Sequence, residues 1–134
     1  MHEWALADAV ARYVLELLKE NNASRLERII IRLGVLQSID KEVFMFSLRE
    51  LFRQYNIEYS DEAIVLVDEE ALFRCRRCGY TWSLNDLEID EAVREAIHFI
   101  PEVVHSYFTC PRCGSRDFEV VKGRGLTIGE VVVK

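Results

Sequence analysis

The sequence predicts an α+β fold in which a small two-helix, three-strand domain carries an inserted, cysteine-bearing second domain. Two segments of the N-terminal half repeat apolar residues at helical spacing, and a short β-branched run follows each of them. Two Cys-x-x-Cys pairs then appear in a region of different texture. With 134 residues, 50% of them hydrophobic, the chain is long enough for one ordinary domain or two very small ones with a packed core.

The first helix and the first strand are predicted within the first 34 residues. Apolar residues recur at three- and four-residue steps between Trp4 and Glu20, and the members of this predicted stripe are Leu6, Val10, Tyr13, Val14 and Leu17. The segment NNAS then ends the helix. The run LERIIIRLG predicts a strand that ends at Gly34, because consecutive isoleucines favour extended backbone.

A second helix and two more strands complete the first domain. The helix is predicted from about Asp40, a plausible N-cap, to Tyr55, and its apolar stripe is Phe44, Leu48, Leu51, Phe52 and Tyr55. The run AIVLV at 63–67 predicts the second strand. Since a two-stranded sheet is marginal alone, the segment Leu126–Val133 is expected to return as a third. The predicted boundaries are therefore 1–70 plus 122–134 for this domain and 71–121 for the insertion.

The inserted domain is predicted to consist of short strands around two tight turns. The segments ALFRCRRCGYTWSL and HSYFTCPRCGSRDFEVV read as aromatic strands flanking Cys-x-x-Cys-Gly turns, in which Gly79 and Gly114 allow tight backbone. The segment NDLEIDEAVREAIHFIPEVV between them is predicted to be partly helical and to stop near Pro101.

The four cysteines indicate a metal site. In a reducing compartment, two Cys-x-x-Cys pairs favour a tetrahedral ion over disulfides, and four thiolates suit Zn²⁺ or iron. A four-thiolate zinc site is coordinatively closed, so the favoured interpretation is structural zinc that supplies folding energy to a module too small to fold alone. The predicted ligands are Cys75, Cys78, Cys110 and Cys113.

Two other functions remain open for the cysteine module. The pattern CRRCGYTW…CPRCG looks like a rubredoxin, which would make the module an electron-transfer site. Alternatively, zinc ribbons often use arginines to bind nucleic acid, and five flank the turns: Arg74, Arg76, Arg77, Arg112 and Arg116. The module also carries eight acidic residues, and the net charge of −6 with a pI of about 5.1 argues against nucleic-acid and anionic-membrane partners.

The composition also predicts where the protein works. No apolar run approaches the length of a transmembrane helix, and no basic segment followed by an apolar stretch suggests a signal peptide. We therefore expect a cytoplasmic protein without a membrane partner.

The opening tripeptide Met1-His2-Glu3 is a second candidate metal site. The terminal amine, the His2 amide nitrogen and the His2 imidazole can close two chelate rings on one ion, and Glu3 can add its amide nitrogen or its carboxylate. Nitrogen ligands in a near-planar set suit Ni(II) or Cu(II). The alternative is a plain helix start, because an acidic residue in the first turn is favoured by the helix dipole.

The whole pattern resembles the HypA/HybF family. The motif MHEWALAD, the compact α/β domain, the two Cys-x-x-Cys pairs and the closing Gly-x-x-Leu strand occur together and in order. Members of this family are nickel metallochaperones for [NiFe]-hydrogenase maturation. The insertion between the cysteine pairs is similar to that of archaeal members.

The resemblance implies a role for each motif. His2 is expected to be the principal ligand of Ni²⁺, the cargo, with Met1 and Glu3 assisting, while the four cysteines hold structural Zn²⁺ in a rubredoxin-like zinc-ribbon domain. The protein is expected to deliver nickel with the HypB GTPase to the [NiFe]-hydrogenase large-subunit precursor, to act as a monomer or weak dimer, and not to be an enzyme.

Two further histidines lie in the insertion. We hypothesise that His98 completes the nickel site, because a delivery protein gains from a ligand on a movable module. His105 is the less favoured candidate for the same role.

Overall fold

A computed structural model describes residues 2–134 and shows a mixed α/β architecture. The helices are α1 (Glu3–Glu20), α2 (Lys41–Gln54), α3 (Glu91–Phe99) and α4 (Val104–Tyr107). The strands are β1 (Arg25–Gly34), β2 (Glu58–Tyr59), β3 (Ile64–Glu69), β4 (Leu72–Cys75), β5 (Thr81–Ser83), β6 (Phe118–Lys122) and β7 (Leu126–Val133). None of the helices in residues 2–134 has both the length and the apolar character needed to span a bilayer.

The chain forms two compact units. The first holds the chain up to Arg32, Ile39–Val67 and Thr127–Lys134, and the second holds Leu33–Ser38 and Asp68–Leu126. The second unit is thus an insertion that also includes a six-residue segment, Leu33–Ser38, which spans the end of β1 and the turn after it. Leu36 of that segment is fully buried in the core of the second unit.

Helix α1 packs against α2 in the first unit, with a buried face that differs from the predicted one. Its buried residues are Glu3, Ala7, Val10, Ala11, Val14 and Leu18. Tyr13, predicted to lie on this face, is 46% exposed. The buried face is rotated from the predicted stripe, because it includes Ala7 and Ala11, whose weak hydrophobicity kept them out of that stripe.

Helix α2 begins where the sequence predicts. Asp40 is its N-cap, and the Asp40 Oδ1 atom accepts a hydrogen bond from the backbone N–H of Val43 at 3.1 Å. Just beyond its C-terminal end, the Tyr55 hydroxyl donates to Asp8 Oδ1 at 2.7 Å, which joins α2 to α1.

The sheet of the first unit is built around β1. Strand β1 pairs with β2, β3 and β7, so the predicted return of Leu126–Val133 as a strand is confirmed. The two-residue strand β2 adds a fourth member, parallel to β1, with Arg25 opposite Glu58. It was not predicted because two residues are too few to display an alternating pattern.

The second unit contains a three-stranded antiparallel sheet in the order β5-β4-β6, with Cys75 opposite Phe118. Helix α3 follows its N-cap Asp90, whose Oδ1 atom accepts from the Val93 N–H at 2.9 Å. The predicted strand in HSYFT is wrong, since Val104–Tyr107 is helical. Pro101 starts a short 3₁₀ helix whose turn continues into α4 and buries Val104.

Candidate metal centre

The four predicted cysteine ligands come together in the second unit. Their Sγ atoms all lie within 4.8 Å of one another. The Sγ atoms of Cys75 and Cys113 are 3.5 Å apart, and those of Cys78 and Cys110 are 3.6 Å apart. Cys75 and Cys110 are buried, whereas Cys78 and Cys113 reach the surface. The cluster is therefore held from inside and accessible from one side.

Two equivalent backbone turns, which we call the knuckles (residues 75–80 and 110–115), position these thiols. In the first, the Cys75 N–H donates to the Tyr80 carbonyl at 2.8 Å and the Gly79 N–H donates to the Cys75 carbonyl at 3.0 Å. In the second, the Cys110 N–H donates to the Ser115 carbonyl at 2.8 Å and the Gly114 N–H to the Cys110 carbonyl at 2.9 Å. Each knuckle therefore repeats the same fold.

The knuckle glycines adopt a conformation that L side chains rarely take. Gly79 has φ +78° and Gly114 has φ +77°, in the left-handed region. Each turn thereby closes immediately after its second cysteine and keeps that thiol near its partner.

An aromatic core anchors the centre beneath the sulfur atoms. Phe73, Trp82 and Phe118 pack with ring centroids 5.3 to 5.6 Å apart, and each is no more than 2% exposed. Phe73 lies on β4, two residues before Cys75, so the strand that builds the core also fixes the first ligand.

Hydrogen bonds from the local backbone give the thiols different pKa values. Hydrogen bonds from the backbone N–H groups of Cys78 and Arg77 lower the pKa of Cys75 to about 7, although burial opposes them. Burial raises the pKa of Cys110, but hydrogen bonds from the N–H groups of Cys113 and Arg112 outweigh it, so this pKa is also lowered.

Cys113 is a thiol whose pKa is raised. The backbone at Ser115 favours its thiolate, but burial and hydrogen bonding with the other three thiols raise its pKa to about 11. The cluster therefore holds thiolates and thiols in close contact, and this is the arrangement that a cation stabilises by replacing the remaining protons.

The donor set and its spacing fit zinc. Four thiolates at about 2.3 Å from a tetrahedral Zn²⁺ lie about 3.8 Å from one another. The sulfur separations in the two pairs, 3.5 and 3.6 Å, are close to that value without rearrangement of the backbone. With all four positions taken by protein, such a site is closed to substrate.

His2 and Glu3 of the opening tripeptide belong to the first unit, and Met1 lies outside the described residues. His2 is the exposed N-cap of α1, and its carbonyl accepts from the Leu6 N–H at 2.9 Å. Within residues 2–134, its imidazole makes no capping hydrogen bond to the helix. The His2 ring is therefore not used to build the helix start.

The Glu3 side chain takes a position that was not predicted. Glu3 is only 7% exposed, and its Oε1 atom accepts from the backbone N–H of Asp40 at 3.4 Å. A signal for this burial is present in the sequence, since Glu3 precedes Val10, a member of the predicted apolar stripe, by seven residues and so shares its face of α1.

The two candidate histidines of the insertion lie in the second unit. His98 is half-buried in the last turn of α3. The exposed His105 stacks its ring on Phe118, with centroids 4.5 Å apart. In the part of the chain that the structure describes, the four cysteines are the one group of three or more potential metal ligands among His, Cys, Asp and Glu side chains.

Comparison with known proteins places this geometry beside one family. Residues 1–133 match the family model described as "Hydrogenase/urease nickel incorporation, metallochaperone, hypA". The hydrogenase maturation factor HypA of Pyrococcus horikoshii is 49% identical, over 100% of this chain and 96% of that protein. Its counterpart in Pyrococcus furiosus is 47% identical over the same shares.

A solved structure shares the fold. The solution structure of the Ni metallochaperone HypA from Helicobacter pylori matches with a TM-score of 0.64, over 99% of this chain and 97% of that one. Sequence identity with it is 20%, so this comparison speaks for the fold alone.

Proposed function

Since the chain belongs to the HypA family of nickel metallochaperones for hydrogenase maturation, we propose that it binds Ni(II) at its N-terminus and delivers it for [NiFe]-hydrogenase maturation. It acts in this proposal as a carrier and not as a catalyst. The family match spans nearly the whole chain and supports this interpretation, not the rubredoxin-like or nucleic-acid-binding alternatives.

The proposal of a nickel site rests on the exposure of His2 and on the absence, among the described residues, of a capping hydrogen bond from its side chain. An exposed imidazole stands at the first residue before α1, and the helix does not use it as a cap. The amide nitrogens of the first helical turn have no intrahelical acceptor, so a metal can take them without breaking the hydrogen bonds of the helix. The proposed ligands are the Met1 amine, the His2 imidazole and amide, and a group from Glu3.

The Glu3 ligand is proposed to be its amide nitrogen. Its carboxylate lies against the start of α2, where it accepts from Asp40, and turning it outward would break that hydrogen bond. An amide nitrogen next to the His2 amide extends the near-planar nitrogen set that suits Ni(II).

The four cysteines are proposed to hold Zn²⁺ as a structural ion. When bound, zinc supplies a cross-link between the two knuckles and much of the folding energy of a small module. The chain's own contribution is the pair of backbone turns and the aromatic core that bring the thiols together.

The two metals are proposed to occupy separate domains. We assign nickel to residues 1–70 plus 122–134 and zinc to residues 71–121, and the division of the chain into two compact units supports this assignment. His98 is retained as a further nickel ligand supplied by the second unit. His105 is less suited, because its ring is already stacked on Phe118.

The partners follow from the family role. A hydrogenase maturation factor works with the maturation machinery, and we propose that the HypB GTPase and the hydrogenase large-subunit precursor are its partners in the cytoplasm. We propose further that the chain acts as a monomer or weak dimer.

A calorimetric Ni(II) titration of tag-free, zinc-loaded protein tests the proposal. The wild type is expected to bind one equivalent, His2→Ala to lose that site, and His98→Ala to weaken it and change its nickel absorption spectrum. His105→Ala, which also removes one imidazole, is the matched control and should bind as wild type. If His2→Ala bound nickel as tightly as the wild type, the proposed N-terminal site would be wrong. If His98→Ala kept the wild-type nickel affinity and spectrum, only the assignment of His98 as a ligand would be wrong.

A further inference from the structure

The two knuckles carry an arginine at the same position, immediately before the second cysteine. These are Arg77 and Arg112, here called the knuckle arginines. The backbone N–H of each points at the buried thiol of its own turn, Cys75 or Cys110. Their backbones are thus fixed by the metal centre, while both residues are exposed and precede the two surface thiols, Cys78 and Cys113.

Neighbouring arginines are already engaged. Arg74 pairs with Glu119 at 3.5 Å, and Arg76 pairs with Asp117 at 3.0 Å. Arg116 donates to the carbonyls of His105 and Ser106 at 3.4 and 3.2 Å.

The knuckle arginines differ from these neighbours. Within residues 2–134, no ion pair or hydrogen bond of either guanidinium is present. Because the thiols of Cys78 and Cys113, which follow them, have Sγ atoms within 4.8 Å of each other, the two arginines start from neighbouring backbone positions beside one metal centre.

Arginines outnumber acidic residues at and beside the knuckles, although the chain as a whole is acidic. The net charge is −6. Six of the eight acidic residues in 71–121 lie in and around α3, at Asp86, Glu88, Asp90, Glu91, Glu95 and Glu102. The other two, Asp117 and Glu119, are paired with Arg76 and Arg74. Two unpaired guanidinium groups on an acidic protein mark a surface that selects for negative charge.

We propose that the knuckle arginines form a docking surface for a carboxylate-rich, extended segment of a partner protein. Guanidinium groups match carboxylates by bidentate hydrogen bonds, and their fixed backbones reduce the entropy lost on docking. A nucleic-acid backbone is disfavoured, because it is bound by a track of several cations, and the neighbouring Arg74, Arg76 and Arg116 are already engaged. The surface goes beyond the proposed nickel function and does not depend on it.

The test uses a fluorescein-labelled peptide of twelve residues with alternating Glu and Ala, followed by fluorescence anisotropy with zinc-loaded full chain. Arg77→Glu/Arg112→Glu is expected to raise the Kd about tenfold, and high salt is expected to weaken wild-type binding. The matched control is Lys122→Glu/Lys134→Glu, which changes the net charge equally at two exposed residues outside the knuckles and should stay near wild type.

Several outcomes would overturn the proposal. If the lysine control lost as much affinity for the peptide as the arginine variant, binding would depend on net charge and not on the knuckle arginines. If a peptide with Gln in place of Glu bound the wild type equally well, carboxylates would have no role. If the wild type bound a single-stranded DNA of similar length more tightly than the peptide, the partner would be a nucleic acid and not an acidic protein segment. Zinc per chain is measured in every variant, and loss of zinc from the arginine variant would assign these side chains to the metal centre. Nickel binding is titrated separately, so a failed nickel site leaves this result readable.

Discussion

The Glu3 carboxylate accepts a hydrogen bond from the Asp40 backbone N–H across 3.4 Å, which joins the first turn of α1 to the residue that caps α2. The start of the chain is thereby tied to the interior of the first unit. His2, one residue earlier, is exposed. This hydrogen bond holds the backbone next to His2 in place, while the imidazole itself stays accessible to a metal ion.

We predict that Glu3→Ala lowers the free energy of unfolding by about 1 kcal/mol, because it removes a buried acceptor and leaves the Asp40 N–H without it. Glu3→Gln keeps an acceptor oxygen and should lose less. Both variants keep the backbone amide, so each should still bind one nickel. Urea denaturation followed by far-ultraviolet circular dichroism measures the stability.

The control for this change is Glu16→Ala, an exposed position on the same helix. It should unfold as wild type. A Glu3→Ala variant that keeps full stability but loses nickel would show that the carboxylate, and not the amide, is the ligand.

Removal of zinc should loosen the second unit selectively. Trp82 is 2% exposed in the core beneath the cysteines, whereas Trp4 on α1 is 48% exposed. In a Trp4→Phe variant, the remaining fluorescence comes from Trp82. We predict that a chelator shifts this emission to longer wavelength as water enters the core, and that added zinc reverses the shift.

The helical circular dichroism should change little in the same experiment, because α1 and α2, with 18 and 14 residues, lie in the first unit. Unchanged Trp82 emission after complete metal removal would show that the aromatic core alone holds this unit together.

The metal-free chain should release its thiol protons in separated steps. Since the pKa of Cys75 is lowered to about 7 from an ordinary 9.0, its thiolate stabilises the folded state above 9.0, and this contribution is lost as pH falls through about 7. The pKa of Cys113 is raised to about 11, so its thiol stabilises the folded state below 9.0 and loses that effect as pH rises toward 11.

Ultraviolet absorbance of thiolates in the metal-free protein measures these steps. We expect the first rise near pH 7 in wild type, and its absence in Cys75→Ser. A single transition of all four cysteines near 9 would mean that the knuckle hydrogen bonds do not survive without the metal.

Sequence patterns predicted the features that depend on neighbours along the chain. Asp40 caps α2 because a side-chain oxygen three residues before Val43 reaches its N–H, which is a local relationship. The four cysteines meet because each pair is fixed by its own tight turn. The glycine that follows the second cysteine of each pair marks that turn in the sequence.

Features that depend on tertiary packing could not be read in the same way. Leu36 follows β1 in sequence but is buried with the second unit, and no local pattern separates these two environments. The HSYFT segment has the aromatic and β-branched content of a strand, yet the turn begun at Pro101 continues through it as a helix. Tertiary context overrides weak local propensity at such positions.

Three glycines of the second unit differ in what an alanine substitution would cost: backbone strain alone at Gly79 and Gly114, and steric overlap at Gly123. At Gly79 and Gly114, an added Cβ meets nothing within 4 Å, so substitution by alanine costs only the left-handed backbone, about 1 kcal/mol each. At Gly123, with φ +102°, a Cβ would lie 2.3 Å from the Ala71 Cα atom. Gly123→Ala should therefore cost about 3 kcal/mol or more.

Thermal unfolding and zinc per chain measure the difference. Gly79→Ala and Gly114→Ala should retain one zinc with a modestly lower Tm, and Gly79→Asn should recover part of the loss, because asparagine tolerates the left-handed conformation. Gly123→Ala serves as the severe comparison, since both Ala71 and the Gly123 N–H, which donates to Glu69 at 3.1 Å, hold that backbone in place. If Gly79→Ala proved as damaging as Gly123→Ala, the knuckle would be constrained by more than its own φ angle, and the bound metal would be the source of that constraint.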